Sequence, residues 1–193
     1  MKYLGTKELE TERLLLRKVK KEDAILAYQK WTGDKEVCKY TLWNKHESVE
    51  DTLKLYEFWE KEYEKNDTFR WIVINKETNE PIGTIDVASK KYLPYGTCEI
   101  GYCYELASWG HGYATEALEA VIKYLFLECE ADVIFAQFLE KNIASGKVME
   151  HVGMVFEGFL RGRVTDKDGL RNNVGTYSIT REEYLSLRYW KWR

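Results

Sequence analysis

The stretch Trp109-Gly110-His111-Gly112-Tyr113-Ala114-Thr115-Glu116-Ala117-Leu118 follows a strand-like segment, Thr97 to Tyr104, and opens one in which Leu118, Val121, Ile122 and Leu125 recur at helical spacing. A strand, a turn with two glycines and a long helix ending near Cys129 is the reading on which the fold turns. Glycines let successive main-chain N–H groups converge with no Cβ in the way. The first turn of the helix adds free N–H groups and the positive end of its dipole. Such a turn suits an anion, a phosphate or diphosphate, although two glycines before a helix also fit plain turn chemistry. It is not a Walker loop, since no Gly-Lys-Ser/Thr follows, and not G-x-G-x-x-G, since Gly112 precedes Tyr113-Ala114-Thr115. Nucleotide hydrolysis and dinucleotide binding lose support.

Working outward, Arg13 to Val19 reads as a strand and Ala24 to Tyr28 as a helix introduced by Lys21-Glu22-Asp23. Ser48 with Asp51 forms a capping-box start, and Leu53, Tyr56, Trp59 and Tyr63 continue a helix to Lys65. Phe69 to Ile74 and Ile82 to Ala88 pair as a hairpin across the turn from Glu77 to Pro81. Beyond the long helix come a strand, Val133 to Phe138, and a helix capped by Asn142 that closes at Gly153. A hairpin, Val155 to Arg163 and Val174 to Thr180, ends the series. The pattern is mixed α+β.

Of the 193 residues, 45% are hydrophobic and 32% charged, which excludes wholesale disorder. Only two prolines occur, and no linker or repeat marks a boundary, so the expectation is one domain over 1–193 with a short C-terminal tail from about 181. Lys+Arg 29 against Asp+Glu 32 leaves a net charge of −3, with no global positive field to collect nucleic acid. No apolar run is long enough to span a membrane and the N-terminus lacks a signal-peptide core, so the reading is cytoplasmic. Cys38, Cys98, Cys103 and Cys129 form no C-x-x-C pair, which leaves buried free thiols and no metal site.

The turn resembles motif A of the GNAT N-acetyltransferase superfamily, Gln/Arg-x-x-Gly-x-Gly/Ala, with Trp109 at the Gln/Arg position, Gly112 at the first Gly and Ala114 at the last. The Trp-Gly-x-Gly-Tyr-Ala-x-Glu-Ala form is similar to the branch of ribosomal-protein N-terminal (alanine) acetyltransferases, where backbone amides hold the pyrophosphate. Other pieces of that branch's pattern follow in order: Glu12-Arg13-Leu14-Leu15-Leu16-Arg17, Glu99-Ile100-Gly101-Tyr102, Asn142-Ile143-Ala144-Ser145 and Gly153-Met154. The resemblance implies a splayed, mostly antiparallel sheet of about seven strands flanked by helices, with acetyl-coenzyme A as acyl donor between the parted strands Thr97 to Tyr104 and Val133 to Phe138. By this likeness Trp109, Gly110, His111, Gly112, Tyr113 and Ala114 surround the diphosphate and Asn142 contacts the pantetheine arm. His111 occupies a variable position that points outward.

Acetyl transfer to an amine needs a route for the ammonium proton, a donor for the developing oxyanion and a proton for the thiolate. Glu99 and Glu157 are both candidates for the first, each also readable as a solvated strand carboxylate. Backbone N–H groups near Tyr102, Cys103 and Tyr104 are implied for the second. Ser145 is the candidate for the third, one helical turn from Asn142, whose alternative role is the N-cap. Tyr104 and Tyr177 are alternative phenols. The acceptor implied is a protein N-terminus, with a polyamine, amino acid or antibiotic as the small-molecule alternative and a non-catalytic acyl-coenzyme A sensor as the rival class. Trp31, Trp43 and Trp59 are expected to line an acceptor cleft or a homodimer surface. The aromatic and basic end, Tyr184 to Arg193, reads as a helix extension or a mobile tail rather than a membrane or RNA contact.

Overall fold

The computed structural model describes residues 1–191, with side chains for residues 1–186. Eight strands form one sheet: β1 (Leu9–Glu10), β2 (Leu14–Arg17), β3 (Arg70–Asn75), β4 (Glu80–Ser89), β5 (Thr97–Tyr104), β6 (Val133–Leu139), β7 (Val155–Thr165) and β8 (Arg171–Thr180). Their order is β1-β2-β3-β4-β5-β6-β8-β7. Only β5 and β6 run parallel; every other neighbouring pair is antiparallel. The strand beyond the expected seven is β1, two residues pairing with Leu16 and Leu15, too short to leave a periodic signal. Among the described residues the α-helices are α1 (Ala24–Ala27), α2 (Val49–Glu62), α3 (Tyr113–Leu127), α4 (Ile143–His151) and α5 (Arg181–Lys191).

The period of two along the strands divides the core between the faces. On β3, Trp71 and Val73 join the core that includes Leu118, Val121, Ile122 and Leu125 of α3, while Ile72 and Ile74 join Ala24, Ala27, Trp31 and Tyr56 on the other side. Burial on both faces explains why β3 is apolar without interruption from Trp71 to Ile74. Each fully buried Leu or Ile on α3 contributes roughly 1.5–3 kcal/mol.

The expected capping box is present, with Asp51 N–H on Ser48 Oγ at 3.4 Å and Ser48 N–H on Asp51 Oδ2 at 3.1 Å. Of the expected face of α2, Tyr56 is buried and Trp59 and Tyr63 pack against the same cluster, whereas Leu53 is exposed and Thr52 is buried in its place. Thr52 is accommodated because its hydroxyl lies 2.7 Å from Thr32 Oγ1 and 2.7 Å from His46 Nδ1. The helix expected from Ala24 begins with a 3-10 turn at Lys21, since Asp23 is held by Arg17 Nη1 and Nη2 at 2.8 and 2.7 Å. It ends in a wide π-type turn, Tyr28–Thr32. That turn drives Trp31 into the core at 1% exposure, so Trp31 lines no surface. Trp43 remains partly exposed, and the Trp59 ring lies 4.2 Å beneath the Arg70 guanidinium. From Arg181 the chain is a helix, with the Tyr184 ring 5.2 Å from Phe126 on α3; the side chains from Leu187 to Arg193 lie outside the described residues.

Candidate active site

The chain leaves β5 through a 3-10 turn, Leu106–Ser108, and Trp109 Nε1 donates back to the Tyr104 carbonyl at 2.9 Å. This pins one end of the glycine turn. Gly110 and Gly112 have φ of +78° and +79°, the left-handed region where a Cβ is costly. Gly112 is the N-cap of α3 and brings no side-chain cap. The first bond into the helix runs from Glu116 N–H to the Gly112 carbonyl at 3.0 Å, which leaves the amides of Tyr113, Ala114 and Thr115 ahead of the ladder. His111 is exposed, its ring stacked 5.7 Å from that of Tyr113 and its Nδ1 2.9 Å from the Trp109 carbonyl oxygen.

Beside this turn the sheet opens. β5 and β6 are in register only from Thr97↔Val133 to Ile100↔Ala136. Beyond that point β5 follows β4, with Cys103 opposite Thr84, and β6 follows β8, with Phe138 opposite Gly175. The edge of β5 from Gly101 onward therefore presents main-chain groups with no strand alongside. Tyr102 and Ser145 meet across the opening: the Tyr102 hydroxyl donates to the Ser145 carbonyl at 2.9 Å and accepts from Ser145 Oγ at 3.0 Å. Burial pushes the Tyr102 phenol well up despite the Ser145 hydrogen bond, so it is a protonated donor at neutral pH. Asn142 Oδ1 accepts Ser145 N–H at 3.4 Å, the N-cap role. Tyr104 turns into the core, and its hydroxyl is buried with no hydrogen-bond partner among the described residues, so it supplies no phenol to the opening. Tyr177 packs in an aromatic cluster with Phe138 and Phe156 at 5.9 and 5.1 Å.

Glu99 lies on the opposite face of β5 from Cys98 and Ile100, the face away from α3. Two residues along, Gly101 stands opposite Asp86, whose Oδ1 would be 3.3 Å from a Cβ at Gly101. The glycine thus leaves open the space between the two carboxylates. Arg70 Nε holds Asp86 Oδ2 at 2.9 Å. Burial raises the Glu99 pKa, and the charge of Asp86 raises it further. Burial also raises Asp86, against the pull of Arg70. Cys103, on the same face, is pushed up to about 12 by burial and is an unreactive thiol at neutral pH.

The structure does not bring Glu157 to Glu99. Glu157 sits at a β-bulge of β7 and accepts a short hydrogen bond from Ser178 Oγ. Ser178 pairs with Phe135, and Phe135 with Glu99. The two sites are therefore on one face but three strand spacings apart, from β5 across β6 and β8 to β7, about 14 Å.

Four residues without an assigned role in the sequence stand close to these groups: Arg70 and Asp86 beside Glu99, and Arg13 and Glu116 behind the glycine turn. The last two lie in stretches singled out from the sequence, but 103 positions separate them and no local spacing connects them.

The model of the acetyltransferase (GNAT) domain family matches residues 13–155. An uncharacterized N-acetyltransferase, p20 of Bacillus licheniformis, is 34% identical over 91% of this chain and 97% of its own length. A GNAT-family acetyltransferase from Bacillus anthracis superimposes with a TM-score of 0.80 at 30% identity, covering 92% of this chain and all (100%) of its own. A ribosomal-protein-S5-alanine acetyltransferase from Vibrio fischeri shares the fold, with a TM-score of 0.80 at 19% identity over 92% of this chain and 98% of its own. The parted sheet and the uncapped α3 N-terminus thus sit in a match spanning most of the sequence: the chain belongs to the GNAT acetyltransferase family and is an N-acetyltransferase.

Proposed function

We propose that the enzyme takes its acetyl group from acetyl-coenzyme A and delivers it to the α-amine of a protein N-terminus. The observation that carries the donor assignment is the juxtaposition of uncapped amides at Gly112–Thr115 with a sheet that parts after Ile100 and Ala136. The first suits a diphosphate and the second gives a narrow amide-bearing arm a strand edge to lie along. Trp109, Gly110, His111, Gly112, Tyr113 and Ala114 would surround the diphosphate, and the Gly101–Tyr104 edge with Asn142 would hold the arm. When bound, the group supplies a thioester carbonyl to the acceptor.

The remaining chemistry belongs to the chain. Glu99, as carboxylate, takes a proton from the acceptor ammonium directly or through one water, and its raised pKa brings its basicity nearer that of the amine. The amine lone pair then forms the C–N bond as the C–S bond breaks. Main-chain N–H groups near Tyr102 to Tyr104 face the developing oxyanion. The Tyr102–Ser145 pair gives one hydroxyl proton to the departing sulfur, and the second proton leaving the acylated nitrogen restores that hydroxyl through water. No covalent enzyme intermediate is needed.

The acceptor assignment draws on the uncovered half of the Glu99 face. The helices α1 and α2 pack over β2 to β4. Further along the same face, Gln137 is exposed and Ser178 half-buried. A strand face that no α-helix among the described residues covers beyond Phe135, itself capped by the Tyr92 ring at 5.3 Å, suits an amine with more chain behind it.

The test is incubation with acetyl-coenzyme A and a matched panel: peptides with free α-amines, the same peptides N-blocked but containing lysine, and polyamines and amino acids. Free thiol and product mass are the readouts. Acetylation of the α-amine supports the assignment. Acetylation of polyamines or amino acids alone overturns the acceptor class, and cofactor binding without thiol release with any acceptor favours the sensor.

A further inference from the structure

The N-terminal strand segment and the start of α3 are joined by a compact set of hydrogen bonds. Glu116 Oε1 accepts from Thr11 Oγ1 at 2.6 Å and from Arg13 N–H at 2.9 Å, and Glu116 Oε2 accepts from Arg13 Nε at 2.6 Å. Arg13 Nη1 continues to the His111 carbonyl at 2.9 Å, in the middle of the glycine turn. The guanidinium carbon lies 4.7 Å from the centre of the Tyr113 ring, and Nη2 would be 3.5 Å from a Cβ at Gly112. One arginine therefore touches the turn at three successive residues while a carboxylate fixes its fork from behind.

A turn that binds through the direction of its amides has to be held in shape, and the two glycines in it are the residues with the most freedom to lose. Ordering them at the moment of binding weakens the complex; ordering them beforehand does not. Trp109 anchors the entry of the turn through Tyr104, and the helix fixes its exit. The middle is held by Arg13 on His111. We propose that Arg13 and Glu116 are positioning residues that preset the Trp109–Ala114 turn for the diphosphate of the acyl donor. This rests on the donor site proposed above.

A rival account treats Arg13 as a plain positive charge near the anion and Glu116 as its structural counter-ion. The two accounts differ in sign for one substitution. Were charge alone at work, Glu116→Gln would remove a negative charge beside the anion site and strengthen binding. In the positioning account it loosens the fork of Arg13 and weakens binding.

Calorimetric titration of coenzyme A is carried out on the full-length wild type, Glu116→Gln, Arg13→Lys, Arg13→Gln and the Arg13→Gln/Glu116→Gln pair. Glu116→Gln and Arg13→Lys are each expected to weaken binding about tenfold, and the double variant to be no worse than the weaker single one, as for residues acting as a unit. In turnover the KM for acetyl-coenzyme A rises by a similar factor, while kcat at saturation stays within about twofold. Unchanged or tighter binding in Glu116→Gln, or wild-type affinity in Arg13→Lys, overturns the proposal. Failure of the wild type to bind coenzyme A removes the donor site itself, a different result from intact binding that the variants do not alter. Far-UV circular dichroism checks folding. Should Glu116→Gln not fold, Arg13→Lys, which keeps the charge and loses the fork, carries the test alone.

Discussion

Replacing Gly112 by alanine tests the geometry of the anion-binding turn directly. At φ +79° an alanine methyl costs about 1–2 kcal/mol of left-handed strain. The nearest atom to the new Cβ is Arg13 Nη2 at 3.5 Å, an ordinary contact, so no steric clash adds to it. The unfolded chain loses freedom, which returns about 0.4–1 kcal/mol. The net expectation is destabilisation of about 1 kcal/mol. Gly110→Ala, at φ +78° with nothing within 4 Å of its Cβ, should cost about the same. Both remain within the 5–15 kcal/mol typical of a domain, so the variants fold. Urea unfolding followed by tryptophan emission gives the stability, and coenzyme A titration gives the affinity. If alanine holds the left-handed conformation, stability falls and affinity is nearly kept; if the turn relaxes to negative φ, affinity falls instead. The refuting result is a gain of stability at either position with affinity intact. That is the signature of a glycine whose native φ is already negative, and the turn would then have another shape.

Glu99→Gln should reduce kcat/KM by about 10²–10⁴-fold while leaving coenzyme A affinity unchanged. Burial, then the charge of Asp86, raises the wild-type carboxyl, so the acid limb of its kcat/KM profile should lie above the ordinary carboxylate range and disappear in the variant; a retained limb points to another base. The same shift has a stability sign: with the folded pKa raised, the Glu99 contribution is most favourable below the unfolded pKa and is lost as pH rises through the folded one. Tyr102→Phe should cost about 0.5–1.5 kcal/mol in thermal or urea unfolding, since it removes the hydroxyl that donates to the half-buried Ser145 carbonyl. Ser145→Ala keeps that bond and should cost less; the opposite order would show that Ser145 Oγ, not the main-chain bond, ties α4 to β5.

What was legible in the sequence is what local physics decides. The apolar stripe of α3, the capping box at Ser48, the Asn142 cap and the β3–β4 hairpin each rest on residues within a few positions of one another. The missing pieces depend on partners far away. Leu53 fell on the apolar stripe and Thr52 did not, because nothing local announces that Thr32 and His46 wait for the Thr52 hydroxyl. Trp31 looked like a cleft residue because the π-type turn that buries it has no simple sequence signature. Within the site, the glycine turn could be read in place, whereas the Arg13–Glu116 link and the Asp86–Glu99 neighbourhood come from strand order.

The site also needs the sheet to stay open, and the reason it does so lies in α4. Continuing the β5–β6 ladder past Ile100 and Ala136 would add roughly three hydrogen bonds, each worth about 1 kcal/mol net, so an unsupported opening should close. Both lips of the opening are instead tied to α4. From β5, Tyr102 makes two hydrogen bonds to Ser145. From β6, the Phe138 ring comes within 3.0 Å of the position a Cβ would take on Gly146, an approach that only a glycine in α4 allows. Two hydrogen bonds and one partly buried aromatic, the latter contributing up to roughly 1.5–3 kcal/mol, offset the forgone pairs. The wedge holds the strands apart just beyond Glu99, so an acyl arm entering from the α3 side of the sheet reaches the face that carries the carboxylates. Without that passage the proposed donor and acceptor sites would be separated by a continuous sheet.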